Sequence, residues 1–180
     1  MSTAIITESV AQTLRLGQLI GQLAQPGTCI GLDGILGAGK TQLVRGMAMG
    51  AQVQDCSLVC SPTYCLLNIY SADARRLDSK TIYHLDAYRV GDAGQFAAVG
   101  FDELLDQKGL VVLEWASRVP ELLPTDHLAM TGAVEAKFSR RWCMSAGGPV
   151  SNELLELVAT NWPRILSDPQ FKQHRPPELK

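Results

Sequence analysis

The sequence has no long apolar run: its uninterrupted hydrophobic stretches are strand-sized, and no basic region precedes one at the N-terminus. A membrane-spanning helix needs about 20 apolar residues in succession, so neither a span nor a signal or transit peptide is expected, and the cytoplasm is the expected compartment. Strong charge of one sign is also missing. Lys and Arg number 16 against 18 Asp and Glu, a formal charge of −2, so no global basic field favours nucleic acid. The five cysteines, Cys29, Cys56, Cys60, Cys65 and Cys143, are odd in number. They are expected to be reduced thiols, buried or half-buried, rather than a disulfide framework. Cys56, Cys60 and Cys65 lie close together, but they lack the C-x-x-C spacing and a nearby histidine that a zinc site would use. Hydrophobic residues make up 46% of 180, enough for one sizeable core and too few for two ordinary domains. The expected organisation is one domain over residues 1–165 and a Pro-rich, charged, poorly ordered tail over 166–180.

What is present centres on Gly34-Ile35-Leu36-Gly37-Ala38-Gly39-Lys40-Thr41, which fits G-x-x-x-x-G-K-[ST]. In such a loop, glycines let successive backbone N–H groups face a nucleotide's phosphates. Lys40 falls where an ammonium bridges the β- and γ-phosphates, and Thr41 where a hydroxyl joins the shell of Mg²⁺. The flanks supply the required context. Thr28 to Leu32, behind the turn Pro26-Gly27, reads as a buried strand. Thr41 to Met49 carries Leu43, Val44, Met47 and Ala48 at helical spacing and is expected to end at Gly50 as a C-cap. The predicted fold class is therefore α/β: a single P-loop NTPase-like domain with a mixed, mostly parallel sheet and flanking helices.

Along the chain, a polar start leads to an amphipathic helix over Glu8 to Ala24, capped by Thr7, in which Gly17 and Gly21 mark close packing. Ser61-Pro62-Thr63-Tyr64 introduces a strand over Cys65 to Tyr70. Thr63 either senses the γ-phosphate and Mg²⁺ or simply opens the strand in a Ser/Thr turn. Ser71 to Lys80 is a hairpin loop. Thr81 to Asp86 is a strand whose terminal Asp86 is placed as a Walker B acid, able to hold Mg²⁺ directly or through water. His84 in that strand is either a proton-transfer group or a half-buried structural residue. Gly91 to Gln107 reads as loop and short helix, with Phe96, Val99, Phe101, Leu104 and Leu105 on an apolar face. Leu110 to Trp115 is a central strand covered on both sides, and Glu114 at its carboxyl end falls in the crevice where open α/β sheets bind ligands. Glu114 can hold Mg²⁺ or position the attacking water, and Trp115 can pack beside it. Two further strands, Asp126 to Val134 and Lys137 to Ser145, carry Arg140 and Arg141, which reach the phosphates or lie on a solvated face. Ser151-Asn152 caps a last helix after the breaker Gly147-Gly148-Pro149.

Several blocks in register, Leu36 to Thr41 followed by Val44-Arg45-Gly46, Ser61 to Tyr64, His84 to Arg89, and Leu113-Glu114-Trp115 with Leu122-Leu123-Pro124, resemble the TsaE (YjeE) family over about residues 8 to 160. The resemblance implies a slow P-loop ATPase of the tRNA threonylcarbamoyladenosine pathway that binds ATP or ADP and Mg²⁺. It also implies the TsaB and TsaD proteins as partners, with tRNA met only through that complex. On this resemblance Gly37, Ala38, Gly39, Lys40, Thr41 and Gln42 wrap the phosphates, and Thr41 and Glu114 hold Mg²⁺ with Asp86 beside them. Thr63 is the switch-like threonine, Thr13 lies near the adenine, Trp115 supports the site, and Arg140 matches a late basic residue near the nucleotide. Two positions depart: Ile35 stands where the family usually has Asp, and Gln42 where it has Thr or Ser. A small-molecule kinase and a nucleotide-binding module without useful turnover share the cradle and are the alternatives.

Overall fold

Strands β2 (Cys29–Gly34) and β5 (Leu110–Glu114) are apolar on both faces, and this places them at the centre of a sheet covered on both sides. The computed structural model describes residues 1–90, 94, 100–105 and 109–168. Around that centre are β1 (Ser2–Thr7), β3 (Leu67–Tyr70), β4 (Ile82–Asp86), β6 (Leu128–Val134) and β7 (Arg140–Ala146), in the spatial order β1-β7-β6-β2-β5-β4-β3. The pairs β6–β2, β2–β5 and β5–β4 are parallel, and the outer pairs are antiparallel. The sheet is thus mixed with a parallel centre, as the sequence pattern predicts.

The alternation of β5 divides the core in two. Leu110 and Val112 join Ile30, Leu32 and Trp142 under helices α1 (Val10–Leu23), α2 (Lys40–Gly50) and α4 (Pro149–Ser167). Val111 and Leu113 join Cys29, Leu85, Ala116 and Val119 on the other face, where Leu104 and Leu105 of the short helix α3 (Phe101–Leu105) also pack. The other expected contributors to that helix's face, Phe96 and Val99, lie outside the described residues, as does most of the expected tail.

Helices α1 and α2 touch backbone to backbone. A Cβ on Gly17 would lie 2.1 Å from the Leu43 carbonyl oxygen, on Gly21 2.1 Å from that of Met47, and on Gly46 2.1 Å from that of Leu14. Gly50 belongs to the same contact, 2.0 Å from the Gln18 oxygen, so it continues α2 and does not cap it. The cap is Ala51.

Four local expectations are corrected. The polar start is the edge strand β1, with Ile5 and Thr7 turned inward. The α1 cap is Ser9, whose side chain accepts from the Gln12 N–H, and not Thr7, whose hydroxyl pairs with Thr13 at 2.9 Å. The strand expected from Cys65 begins at Leu67, because the Pro62 carbonyl accepts from the N–H groups of Cys65 and Leu66 and Leu66 is left-handed, at φ 69°. Cys60, Cys65 and Cys143 are exposed thiols. Only Cys29 is fully buried, and burial pushes its pKa up to about 12.

The start of α4 is the instructive case. Pro149 opens the helix, as suits a residue without an N–H, and Ser151 lies inside it with its hydroxyl accepting from the N–H groups of Gly147 and Gly148. Asp126, from the β6 side, accepts from the N–H groups of Val150 and Ser151 at 2.8 and 2.9 Å. Burial pushes its carboxyl up, but the Ser151 and Val150 hydrogen bonds outweigh that and leave its pKa below the ordinary value. Asp126→Ala should cost about 1 kcal/mol in denaturant unfolding at pH 7. Because the folded-state pKa is lowered, the stabilisation is complete above the ordinary carboxylate range and is lost as pH falls through the lowered value. The wild-type and variant unfolding curves should therefore converge in acid.

Candidate nucleotide-binding site

The register of the parallel strands sets Asp86 directly across from Glu114 and Leu32 across from Glu114, so the carboxyl ends of β4, β5 and β2 share one rim. From that rim the chain leaves β2 as the loop 35–39 and enters α2 at Lys40. Gly34, Gly37 and Gly39 have φ of 137°, 80° and 96°, a region that side chains strain to occupy. Gly39, the α2 N-cap, supplies no side-chain hydrogen bond, so no capping side chain competes for the first N–H groups of the helix.

Lys40 is buried, and its ammonium donates to the carbonyls of Gly34 at 2.7 Å and Ile35 at 3.4 Å while standing 4.0 Å from the Trp115 ring centroid. Desolvation lowers its pKa, opposed by the charges of Glu114, Asp86 and Asp33. Trp115 adopts φ 59° immediately after Glu114, which turns the chain away from the sheet and lays the indole beside Lys40 and Tyr88.

The two acids have different surroundings. Asp86 accepts from the hydroxyls of Thr63 at 2.8 Å and Ser61 at 3.0 Å on one oxygen, and from the Tyr88 N–H at 2.7 Å on the other. The Ser61-to-Thr63 turn is thereby tied to the strand tip. Glu114 is held from below by fully buried His84, with Nε2 at 2.9 Å, and accepts from the Thr41 hydroxyl at 3.4 Å. That contact gives His84 a structural task. The Nδ1 atom of His84 has no partner among the described residues.

These groups open into one cavity of about 480 Å³. It is lined by Thr13, Gly37, Ala38, Gly39, Lys40, Thr41 and Gln42, together with Thr63, Asp86, Glu114, Trp115 and Arg140, which are all the site residues expected from the sequence. Arg140 donates to the Gly37 carbonyl at 3.3 Å, whereas Arg141 turns to Glu135. The lining also includes Ser61, Tyr88, Val10, Leu36, Lys137 and Phe138, which sequence reasoning does not single out. Leu36, Ser61 and Tyr88 lie within blocks already quoted. The sequence pattern puts Phe138 inside a strand expected from Lys137, but β7 begins at Arg140 and Phe138 stands exposed in the turn before it. Ile35 is 63% exposed at the outer lip, and the nearby carboxylate of Asp33 is bound to the Ser117 N–H and hydroxyl.

One hydroxyl and two carboxylates at a strand-tip rim are hard oxygen donors. No cluster of three or more His, Cys, Asp or Glu suited to a metal occurs among the described residues. A pair of acids suits Mg²⁺, which is commonly held by one or two carboxylates together with substrate phosphates and water.

A glycine cradle between a central parallel strand and a helix N-terminus, faced by acids on neighbouring strand tips, defines a P-loop α/β protein. The comparisons with known proteins are more specific. The family described as threonylcarbamoyl adenosine biosynthesis protein TsaE matches residues 7–142. The tRNA threonylcarbamoyladenosine biosynthesis protein TsaE of Treponema pallidum is 37% identical over 119 residues, covering 66% of this chain and 82% of that one. The Bacillus subtilis protein of the same name is 33% identical over 122 residues, 68% of this chain and 72% of that one. The crystal structure of Bacillus subtilis YdiB superposes with a TM-score of 0.74 at 25% identity, over 89% of this chain and 96% of that one. The chain belongs to the TsaE family.

Proposed function

We propose that this protein binds ATP with Mg²⁺, hydrolyses it slowly, and through that cycle supports tRNA threonylcarbamoyladenosine formation together with the TsaB and TsaD proteins. The observation that carries the reading is the convergence of Lys40, Thr41, Thr63, Asp86 and Glu114 on a single cavity at the mouth of the glycine loop. Thr41, Glu114 and Asp86 are the residues that would hold the metal. Bound Mg²⁺ supplies positive charge against the charge that develops on the phosphate oxygens during transfer.

The protein's own groups divide the remaining work. The loop N–H groups and the α2 terminus seat the phosphates, and Lys40 exchanges the carbonyls of Gly34 and Ile35 for phosphate oxygens. Trp115 covers Lys40 and limits its hydration. Thr63 and Ser61, hydrogen-bonded to Asp86, register whether the γ-phosphate is present, because its oxygens would compete with the Asp86 oxygen for the same hydroxyl donors.

Size-exclusion chromatography with TsaB and TsaD of the same organism tests the assignment, paired with phosphate-release assays. An ATP-dependent complex and hydrolysis raised by the partners are expected. No complex under saturating Mg-ATP would refute the pathway role, and transfer of the phosphate to a metabolite instead of water would make the protein a kinase.

A further inference from the structure

Part of the cavity lining is apolar. Val10, Leu36 and Phe138 are 54%, 84% and 50% exposed, and all three line the cavity. Phe138 packs in neither core cluster, so its ring is not explained by stability. It sits in the turn between β6 and β7, which is closed by hydrogen bonds from the Glu135 and Ala136 N–H groups to the Ser139 carbonyl. The neighbouring Arg140 bridges that turn to the cradle through the Gly37 carbonyl. The ring is therefore held at a fixed reach from the phosphate seat. One face carries the Lys137 ammonium, 5.2 Å from the centroid, and half of the side chain is exposed.

The polar groups nearby offer little to read a base edge. The Thr13 hydroxyl is engaged with Thr7 and with the Ser9 carbonyl. The Arg140 guanidinium is engaged with the carbonyls of Ala136, Ser139 and Gly37, and the Lys137 ammonium lies over the Phe138 ring, so neither stands free to tell the carbonyl of guanine from the amino group of adenine. Stacking, by contrast, accepts any base, because every base has a π face.

We infer that the nucleobase is held by stacking on Phe138 and not by hydrogen bonds to its edge, so that the site takes ATP and GTP alike. This inference rests on the nucleotide-binding reading above. Calorimetric titration of the full chain with Mg²⁺ and inorganic tripolyphosphate, ATP or GTP, repeated for Phe138→Ala and Phe138→Trp, tests it. Wild-type affinities for ATP and GTP should agree within about threefold. Phe138→Ala should weaken both about tenfold and leave tripolyphosphate unchanged, while Phe138→Trp should retain wild-type affinity. Unchanged ATP binding by Phe138→Ala, or a preference between ATP and GTP beyond about threefold, overturns the inference alone. A wild-type protein that binds none of the three ligands overturns the nucleotide reading and this inference with it.

Discussion

Glu114→Gln should lower ATP hydrolysis by about a hundredfold to a thousandfold while changing nucleotide affinity by no more than about threefold. The substitution keeps the shape and leaves an oxygen that can still face His84 and Thr41, so the buried surroundings at 2.9 and 3.4 Å are preserved. What disappears is one negative charge on a proposed Mg²⁺ ligand. A metal ligand acts mainly on charge that develops during transfer, so the loss belongs to turnover more than to binding. Asp86→Asn should move in the same direction. It should also loosen the Ser61-to-Thr63 turn, since a neutral amide accepts these hydroxyls more weakly than a carboxylate does. Phosphate release under single-turnover conditions, alongside equilibrium titration with Mg-ADP, separates the two quantities. Equal losses in both assays would remove Glu114 and Asp86 from the metal site.

Gly46→Ala provides the second large effect, and here two physical arguments predict opposite signs. Helix propensity favours alanine over glycine by about 1 kcal/mol in a helix interior. Sterics oppose it, because the added methyl would lie 2.1 Å from the Leu14 carbonyl oxygen and the contacted atom is backbone, which cannot rotate away. Overpacking a well-fitted interior costs about 1 to 3 kcal/mol and occasionally more, and this contact is far inside van der Waals range. The steric argument wins, with a net destabilisation of about 3 kcal/mol and a fall of about 10 °C in melting temperature. Gly27→Ala is the contrasting measurement. No atom lies within 4 Å of the place its methyl would take, although a φ of 88° strains a side chain, so its smaller loss comes from the backbone alone. If Gly46→Ala were neutral or stabilising, the α1–α2 contact would be looser than the described geometry.

The features legible in the sequence were those in which local chemistry repeats a short-range rule. The glycine loop announced both its strand and its helix, and the acids at the ends of Thr81 to Asp86 and Leu110 to Glu114 could be set on one rim because parallel strands deliver their carboxyl ends to the same side. Gly17 and Gly21 were recognisable as packing sites because glycine inside a helical pattern has little other use. Features that depend on distant partners were not legible. β1 alternates inward Ile5 and Thr7 with outward residues, but its short polar side chains obscure the pattern until β7 is beside it. Thr7 and Ser9 are both plausible caps by type, and the cap falls to Ser9 because its hydroxyl accepts from the Gln12 N–H while Thr7 is engaged by Thr13 and by the buried Trp142 indole, at 3.2 Å. Asp126 stands far from the helix it caps in sequence. Phe138 joins the cavity only because the β6–β7 turn folds back over the loop.

The glycine contacts between α1 and α2 also determine where the molecule can yield. A helix that opens at the glycine loop, and whose flank is locked against a neighbouring backbone, has almost no freedom to recoil. The Cys60-to-Leu66 stretch, by contrast, is held to the strand tip largely through hydroxyls, with Tyr64 standing 86% exposed under the Arg89 guanidinium. Compliance is therefore distributed unevenly around the cavity, stiff behind the glycine loop and soft beside Asp86, so mechanical work from the proposed nucleotide cycle would emerge on the Tyr64 flank.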